Sequence, residues 1–293
     1  MTEAPEQSRP SEVHYQRGID LAAVRRFHEA IAAYGEAVRL NPAFADAYYN
    51  LGVAYGEIGK FRAAIKAYRK CLALNPSDWA AWGNLGIDYV NVGKFANAIS
   101  AFKRASELKP DELGFFVSVG FNCGRLGRYA DAVEAYKSAL RLKPDFAAAR
   151  FNIALCQFHL HHDEQALASA NDAIKLDAEY DEPYLVIGMI LMRRGDLDGA
   201  ITAFRRAAEL NPSLAEAHAN LGMALSKIGN AELSLREIRW AIQLRPDLAR
   251  LRFVAGEVYW RAGKPSIAII EWGKGVWYWS VKVVLRPRCD NWR

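Results

Sequence analysis

Apolar and small residues recur along this chain at steps of three and four. In the stretch WGNLGIDYVNVGKFANAISAFKRASELKP, residues 82–110, Trp82, Leu85, Gly86 and Tyr89 fall on one face of a helix. Phe95, Ala98, Ala101, Phe102 and Ala105 fall on one face of a second. Gly93 between them predicts a helix stop, because a residue without a side chain takes the left-handed conformation at little cost, and Gly59, Gly127, Gly195, Gly229 and Gly263 repeat the signal. Pro110, which cannot continue a helix, predicts the end of the second.

The same pattern returns every 34 residues: Pro42, Pro76, Pro110, Pro144, Pro212 and Pro246 are in step, with Ala178 the exception. Gly18, Gly52, Gly86, Gly120, Gly188, Gly222 and Gly256 form a second series, with Ala154 in the gap. Ala30, Ala64, Ala98, Ala132, Ala166, Ala200 and Ala268 form a third, with Ser234 the exception. The frame divides the chain into units 11–44, 45–78, 79–112, 113–146, 147–180, 181–214, 215–248 and a degenerate 249–282. A polar lead, 1–10, precedes them and a tail, 283–293, follows. The small residues predict close approach of the two helices of a unit, with Tyr89, Phe95 and Phe102 filling the space around them. One such hairpin cannot bury its apolar face alone, so an all-α solenoid stabilised by contacts between neighbouring units is expected.

Trp82-x-x-Leu85-Gly86-x-x-Tyr89, followed by Ala98-x-x-x-Phe102 and Pro110, resembles the tetratricopeptide repeat (TPR) pattern, and the resemblance covers about residues 11–275. It implies a right-handed superhelix of helix-turn-helix units whose first helices line a concave groove for a partner polypeptide. Unit 147–180 departs from the pattern at Ala154, Gln157, His161, Asp163, Ala170 and Ala178, and is expected to be the loosest of the array. The last unit keeps Gly256, Tyr259 and Trp272 before GVWYWSVKVVLRPRCDNWR abandons the frame. Its aromatics are expected to cover the last hairpin or to mediate self-association.

Composition narrows the function little. The 38 basic and 33 acidic residues leave a formal charge of +5, too mild to argue for nucleic acid or an acidic membrane surface. Cys71, Cys123, Cys156 and Cys289 show no paired short spacing and read as reduced thiols of a cytosolic protein. The start MTEAPEQSRPSEV lacks the features of a secretory signal, and no run reaches the ~18 apolar residues of a spanning helix.

No phosphate-binding glycine loop, paired-cysteine site or His-Glu-x-x-His motif is present, so neither catalysis nor a cofactor is expected. The cluster FHLHHDE holds His159, His161, His162 and Asp163, residue types that suit a divalent transition metal. A solvated turn between two helices accounts for it more simply, and no metal is expected there.

The predicted groove carries more information. The sixth place of the first helix holds Asn50, Asn84, Asn152 and Asn220, interrupted by Ser118 and Val186. An amide both donates and accepts, so such a ladder can hold a peptide backbone with little regard to its sequence. YNLG at 49–52 and NLG at 84–86 and 220–222 resemble the repeats of O-linked N-acetylglucosamine transferases, where a ladder of this kind lines the groove. No transferase sequence accompanies the repeats here, and the resemblance carries no activity over.

The fifth and ninth places are apolar at Tyr49, Val53, Ile87, Val117, Phe121, Phe151, Leu155, Leu185, Met189 and Met223, about half of them expected to be buried between helices. At the thirteenth place stand Arg125, His159, Arg193, Lys227 and Arg261, a basic row expected to recruit an acidic segment. The Lys and Asn by which chaperone-tail clamps of this family resemble one another are absent from the fifth and ninth places. The sequence thus predicts a non-enzymatic scaffold binding a protein or peptide segment through Tyr49, Asn50, Asn84, Phe121, Arg125, Phe151, Asn152, Met189, Arg193, Asn220, Lys227 and Arg261. The competing expectation is a helical-repeat binder of single-stranded nucleic acid, with the basic row on phosphates; the modest charge and acidic turns argue against it.

Overall fold

The computed structural model describes residues 10–246 and 249–285, with side chains described to Val276. These residues form α-helices and turns, with no strand among them. The chain divides into two compact units at Arg128 and Tyr129. The N-terminal unit contains α1 (Pro10–Ala23), α2 (Phe27–Leu40), α3 (Ala45–Glu57), α4 (Phe61–Leu74), α5 (Trp79–Asn91), α6 (Phe95–Leu108) and α7 (Leu113–Arg125). The C-terminal unit contains α8 (Tyr129–Leu142), α9 (Ala147–His159), α10 (Asp163–Leu176), α11 (Glu182–Arg194), α12 (Leu197–Leu210), α13 (Ala215–Lys227), α14 (Ala231–Leu244), α15 (Ala249–Arg261) and α16 (Pro265–Leu285). In each unit, antiparallel helical hairpins stack one on the next, odd-numbered helices being the first of a hairpin and even-numbered helices the second.

The punctuation between helices is local chemistry. Gly59, Gly93, Gly127, Gly195, Gly229 and Gly263 all take left-handed φ between +70° and +85°. Two other residues stand at the same place of the frame, Arg25 and His161, and both adopt that conformation as well, with φ of 59° and 61°. The stop expected to be missing from 147–180 is therefore made, at the steric cost of a Cβ in the left-handed region. The absent proline at Ala178 is also compensated. Asp177 Oδ1 accepts from the Glu179 N–H at 3.0 Å, as Asn41, Asn75 and Asn211 do for residues two further on. Asp78, Asp196 and Asn230 cap the following helices by accepting from the N–H groups of Ala81, Gly199 and Leu233.

Within six of the hairpins the helices meet where a glycine faces a bulky side chain sixteen residues later. A methyl group on Gly86 would lie 2.7 Å from the Phe102 ring, and Gly52 faces Tyr68 and Gly188 faces Phe204 in the same way. Gly18 faces Tyr34, and Gly256 faces Trp272. Gly222 faces the slimmer Ile238, and Ser234, the exception in the alanine series, donates its hydroxyl to the Gly222 carbonyl at 2.6 Å. In α9 and α10 both partners change together. Ala154 stands for the glycine and Ala170 for the ring, both fully buried against Ala166, Val186 and Ile190. Beside them Gln157 replaces an aromatic and accepts from Ser169 Oγ at 2.8 Å. The hairpin thus closes on small groups and one polar bond where its neighbours close on a ring.

Cys71, Cys123 and Cys156 are buried free thiols. No helix among the described residues is long and apolar enough to cross a membrane. The expectation that the C-terminal aromatics cover the last hairpin or mediate self-association falls on side chains from 277 onward, outside the described residues.

With less apolar volume in its contact and a non-glycine residue at its left-handed turn, the α9–α10 hairpin should open more readily than α5–α6. Native-state hydrogen exchange should give opening free energies about 1–2 kcal/mol lower for residues 157–180 than for 85–108. Equal protection in the two segments would contradict this.

Candidate protein-interaction site

The asparagines of the first helices are not an open ladder. In the N-terminal unit, Asn50 Nδ2 donates to the Tyr15 hydroxyl at 2.9 Å and Asn84 Nδ2 donates to the Tyr49 hydroxyl at 3.2 Å. Each bond joins a sixth place to the fifth place of the preceding hairpin, so amides that could hold a ligand backbone are partly committed to holding neighbouring hairpins together. Burial raises the Tyr15 and Tyr49 hydroxyls above their ordinary values, keeping them neutral and able to donate onward. In the C-terminal unit, Asn152 turns back to the Ala148 carbonyl of its own helix at 2.8 Å. Asn220, only 6% exposed, is withdrawn from the surface and corrects the expectation that it extends the row. The pairing of Tyr15 with Asn50 and Tyr49 with Asn84 is visible in the sequence only as a recurring 35-residue offset.

The apolar strip differs from expectation in the opposite direction. None of Tyr49, Val53, Ile87, Val117, Phe121, Phe151, Leu155, Leu185, Met189 and Met223 is fully buried: nine are half-buried, and Ile87 is 52% exposed. Their inner edges pack on neighbouring helices and connections, as Tyr49 does on Tyr68 of α4 with ring centroids 6.0 Å apart and Phe151 on Tyr180 of the α10–α11 connection at 5.4 Å. Their outer edges remain available to a ligand.

The thirteenth-place row is largely structural. Arg125 lies over the Phe95 ring of the preceding hairpin, 4.4 Å from its centroid. His159 stacks on Tyr129 at the equivalent offset, with centroids 4.6 Å apart and planes within 9°. Burial holds its imidazole below the ordinary value, with His161 and Arg193 adding to the effect. Arg193 lies over Phe158 at 4.3 Å, bonds His161 Nδ1 at 2.9 Å and forms an ion pair with Asp163. The cluster FHLHHDE is therefore the socket for an arginine of the next hairpin, and no group of three or more metal-ligating side chains occurs among the described residues. Arg261 pairs with Glu257 at 2.7 Å. Lys227 is exposed and makes no ion pair among the described residues. Of the five cations expected in the row, Arg125, His159 and Arg193 brace groups thirty residues earlier, Arg261 pairs within its own helix, and Lys227 stands outside the bracing.

Profiles of the tetratricopeptide repeat match residues 26–59, 45–78, 80–112, 125–160, 188–229 and 219–276, and the chain belongs to that family. Among solved structures, one of MamA protein is 22% identical, with a TM-score of 0.55 over 59% of this chain and 94% of that one. A chain of the APC/C hetero-tetramer Cut9-Hcn1 is 19% identical, with a TM-score of 0.62 over 94% of this chain and 54% of that one, so the present chain spans about half its length. A tetratricopeptide repeat protein from Parabacteroides merdae is 15% identical, with a TM-score of 0.69 over 82% and 95% of the two chains. At these identities the likeness is one of fold. None of the curated proteins matches the chain. Proteins built of this repeat are in general interaction scaffolds rather than enzymes, and this chain is a scaffold for protein–protein interaction.

One buried charge interrupts the packing beneath the first-helix face. Asp88 of α5 is 5% exposed, faces Gly56 of α3, and its Oδ2 has no hydrogen-bond partner. Desolvation raises its carboxyl from the ordinary carboxylate range to about 6, against a bond from Asn91 that favours the ionised form. Because the folded value lies above the unfolded one, the proton stabilises the fold fully below about pH 4, and that contribution is lost as the pH rises through about 6. Asp88→Asn, which leaves a neutral acceptor such as Asn122 provides at the equivalent place of α7, should remove the dependence. Urea titrations should find the variant more stable than the parent by about 2–3 kcal/mol at pH 7.5, with the difference vanishing toward pH 4. A parent chain as stable at pH 7.5 as at pH 4.5 relative to the variant would contradict the assignment.

Proposed function

We propose that the chain holds a segment of a partner protein along the first-helix face of its compact units. The observation carrying this reading is the apolar strip at the fifth and ninth places, whose members are half-buried rather than closed off between helices. Within each unit, such edges on the helical surface offer pockets for the side chains of an extended or helical peptide. The carbonyl oxygens of Asn50 and Asn84, whose amide nitrogens bond tyrosine, are the acceptors for its backbone N–H groups. Burying apolar edges supplies most of the affinity; the polar groups set register.

An acidic segment fits less broadly than five cations suggest. The charge of Arg193 is answered by Asp163, that of Arg194 by Glu164 at 2.9 Å, and that of Arg261 by Glu257. Lys227 remains for an acidic group beside Met223 in the C-terminal unit. On this face the same neutralisation weakens the nucleic-acid reading, which needs unanswered cations there to displace counterions from phosphates.

Affinity capture from the native cell followed by mass spectrometry supplies the partner, and variants then test the face. Ile87→Glu and Met223→Glu place a charge in the strip without opening the core. Each should weaken partner binding about tenfold or more, mainly through faster dissociation, at unchanged helical content. Arg205→Glu and Arg206→Glu, on the outer side of α12, should leave binding within about twofold. Loss of binding in the α12 variants comparable to that in the strip variants would reject the first-helix face.

A further inference from the structure

Most second helices of this chain carry acidic residues that answer at least one of their own cations. Arg39 pairs with Glu36, Arg104 with Glu107, Lys137 with Glu134, Lys175 with Asp172 and Arg206 with Glu209, each three residues apart. Helix α4, FRAAIKAYRKCLAL, contains no Asp or Glu. Arg62, Lys66, Arg69 and Lys70 project from it at helical spacing, all exposed and without an ion pair among the described residues. Like charges at these spacings destabilise an isolated helix, so the arrangement costs stability and nothing within the described unit offsets it.

Beside this stripe runs a groove of about 510 Å³ between α4 and α6, floored by α5. Leu72, Trp82, Leu85 and Tyr89 form its base, with Arg69 on one bank and Lys94 on the other. Trp82, Leu85 and Tyr89 lie about half a helical turn around α5 from Asn84 and Ile87, so the groove is separate from the first-helix face. Asn97 and Ser100 of α6, both exposed, complete the bank that Lys94 begins.

We propose that this groove is a second docking site, for an acidic peptide segment of a partner protein that inserts apolar side chains over Trp82 and Tyr89. Charge complementarity selects the occupant: Arg69 on one bank, with Arg62, Lys66 and Lys70 on the same helix beside it, and Lys94 on the other call for Asp and Glu flanking the inserted residues. The floor excludes base stacking as the mode of recognition. Trp82 and Tyr89 pack against the buried cluster of Tyr68, Leu72 and Leu85 and offer edges to the groove, and the indole N–H is already given to the Pro76 carbonyl at 3.0 Å. The site is independent of the first-helix face, and the two can be occupied together.

The test uses the whole chain and a short fluorescein-labelled synthetic peptide in which Asp and Glu alternate with Leu and Phe, read by anisotropy. Saturable binding that weakens with salt is expected. It should fall about tenfold or more when Arg62, Lys66, Arg69 and Lys70 are replaced by Ala, and equally for Asn97→Glu with Ser100→Glu, which repels the peptide from the opposite bank. Replacing Lys137, Arg141, Arg205 and Arg206 by Ala removes the same charge elsewhere and should leave binding unchanged. The proposal is overturned if the parent chain shows no saturable binding, or if that control weakens it as much as the α4 variant. It is also overturned if a peptide with Ser in place of Leu and Phe binds as tightly, or if single-stranded oligouridylate binds the groove in preference to the peptide.

Discussion

Every ring-closed hairpin of this protein depends on one short-range constraint: a bulky side chain on the second helix occupies the space where the first helix has no Cβ. The pairs Gly52–Tyr68, Gly86–Phe102 and Gly188–Phe204 bring the helices close enough for the alanines around them to be fully buried. A methyl group in that space would force the ring aside, and overpacking of this kind costs about 1–3 kcal/mol. The close hairpin presents a compact apolar edge to the next, and the stacking of these edges, rather than one central core, stabilises each unit. The first-helix face and the α4–α6 groove are surfaces left over when that stacking is satisfied.

Much of this was legible in the sequence, because the constraint leaves a mark at fixed spacing. The period of 34, the paired faces of residues 82–89 and 95–105, and the glycine stops all follow from rules that act within a few residues. The compensation in α9–α10 was not legible position by position. Ala154, Ala170, His161 and Ala178 each break the pattern when taken singly, whereas together Ala154 and Ala170 exchange one complementary fit for another, and His161 and Asp177 restore the turns. The candidate site was less legible still. Whether an asparagine or an arginine is offered to a ligand depends on what the preceding hairpin places beside it. Tyr15 and Tyr49 claim Asn50 and Asn84, while Phe95, Tyr129 and Asp163 claim Arg125, His159 and Arg193. These partners lie 30 or 35 residues away, an offset that periodicity alone does not assign to contact.

The polar rows and the apolar strip therefore exchange importance. Residues with the more evident binding chemistry serve largely to lock one hairpin to the next, and the apolar edges of Ile87, Phe121, Leu185 and Met223 stay at least partly exposed. The same accounting sets α4 apart. On α6 and α8 one cation of the second helix pairs with an anion three residues away, and α4 contains no anion at all.

The complementarity of glycine and ring is tested most directly by restoring it where the protein lacks it. Ala170→Phe alone, Ala154→Gly alone and the two together form a double-mutant cycle in α9–α10, read by urea unfolding. The account predicts that Ala170→Phe is destabilising while Ala154 is present, and that the pair is more stable than the sum of the single changes by about 1–3 kcal/mol. Additive effects within about 0.5 kcal/mol would show that the ring does not need the space left by the glycine, and would contradict the account.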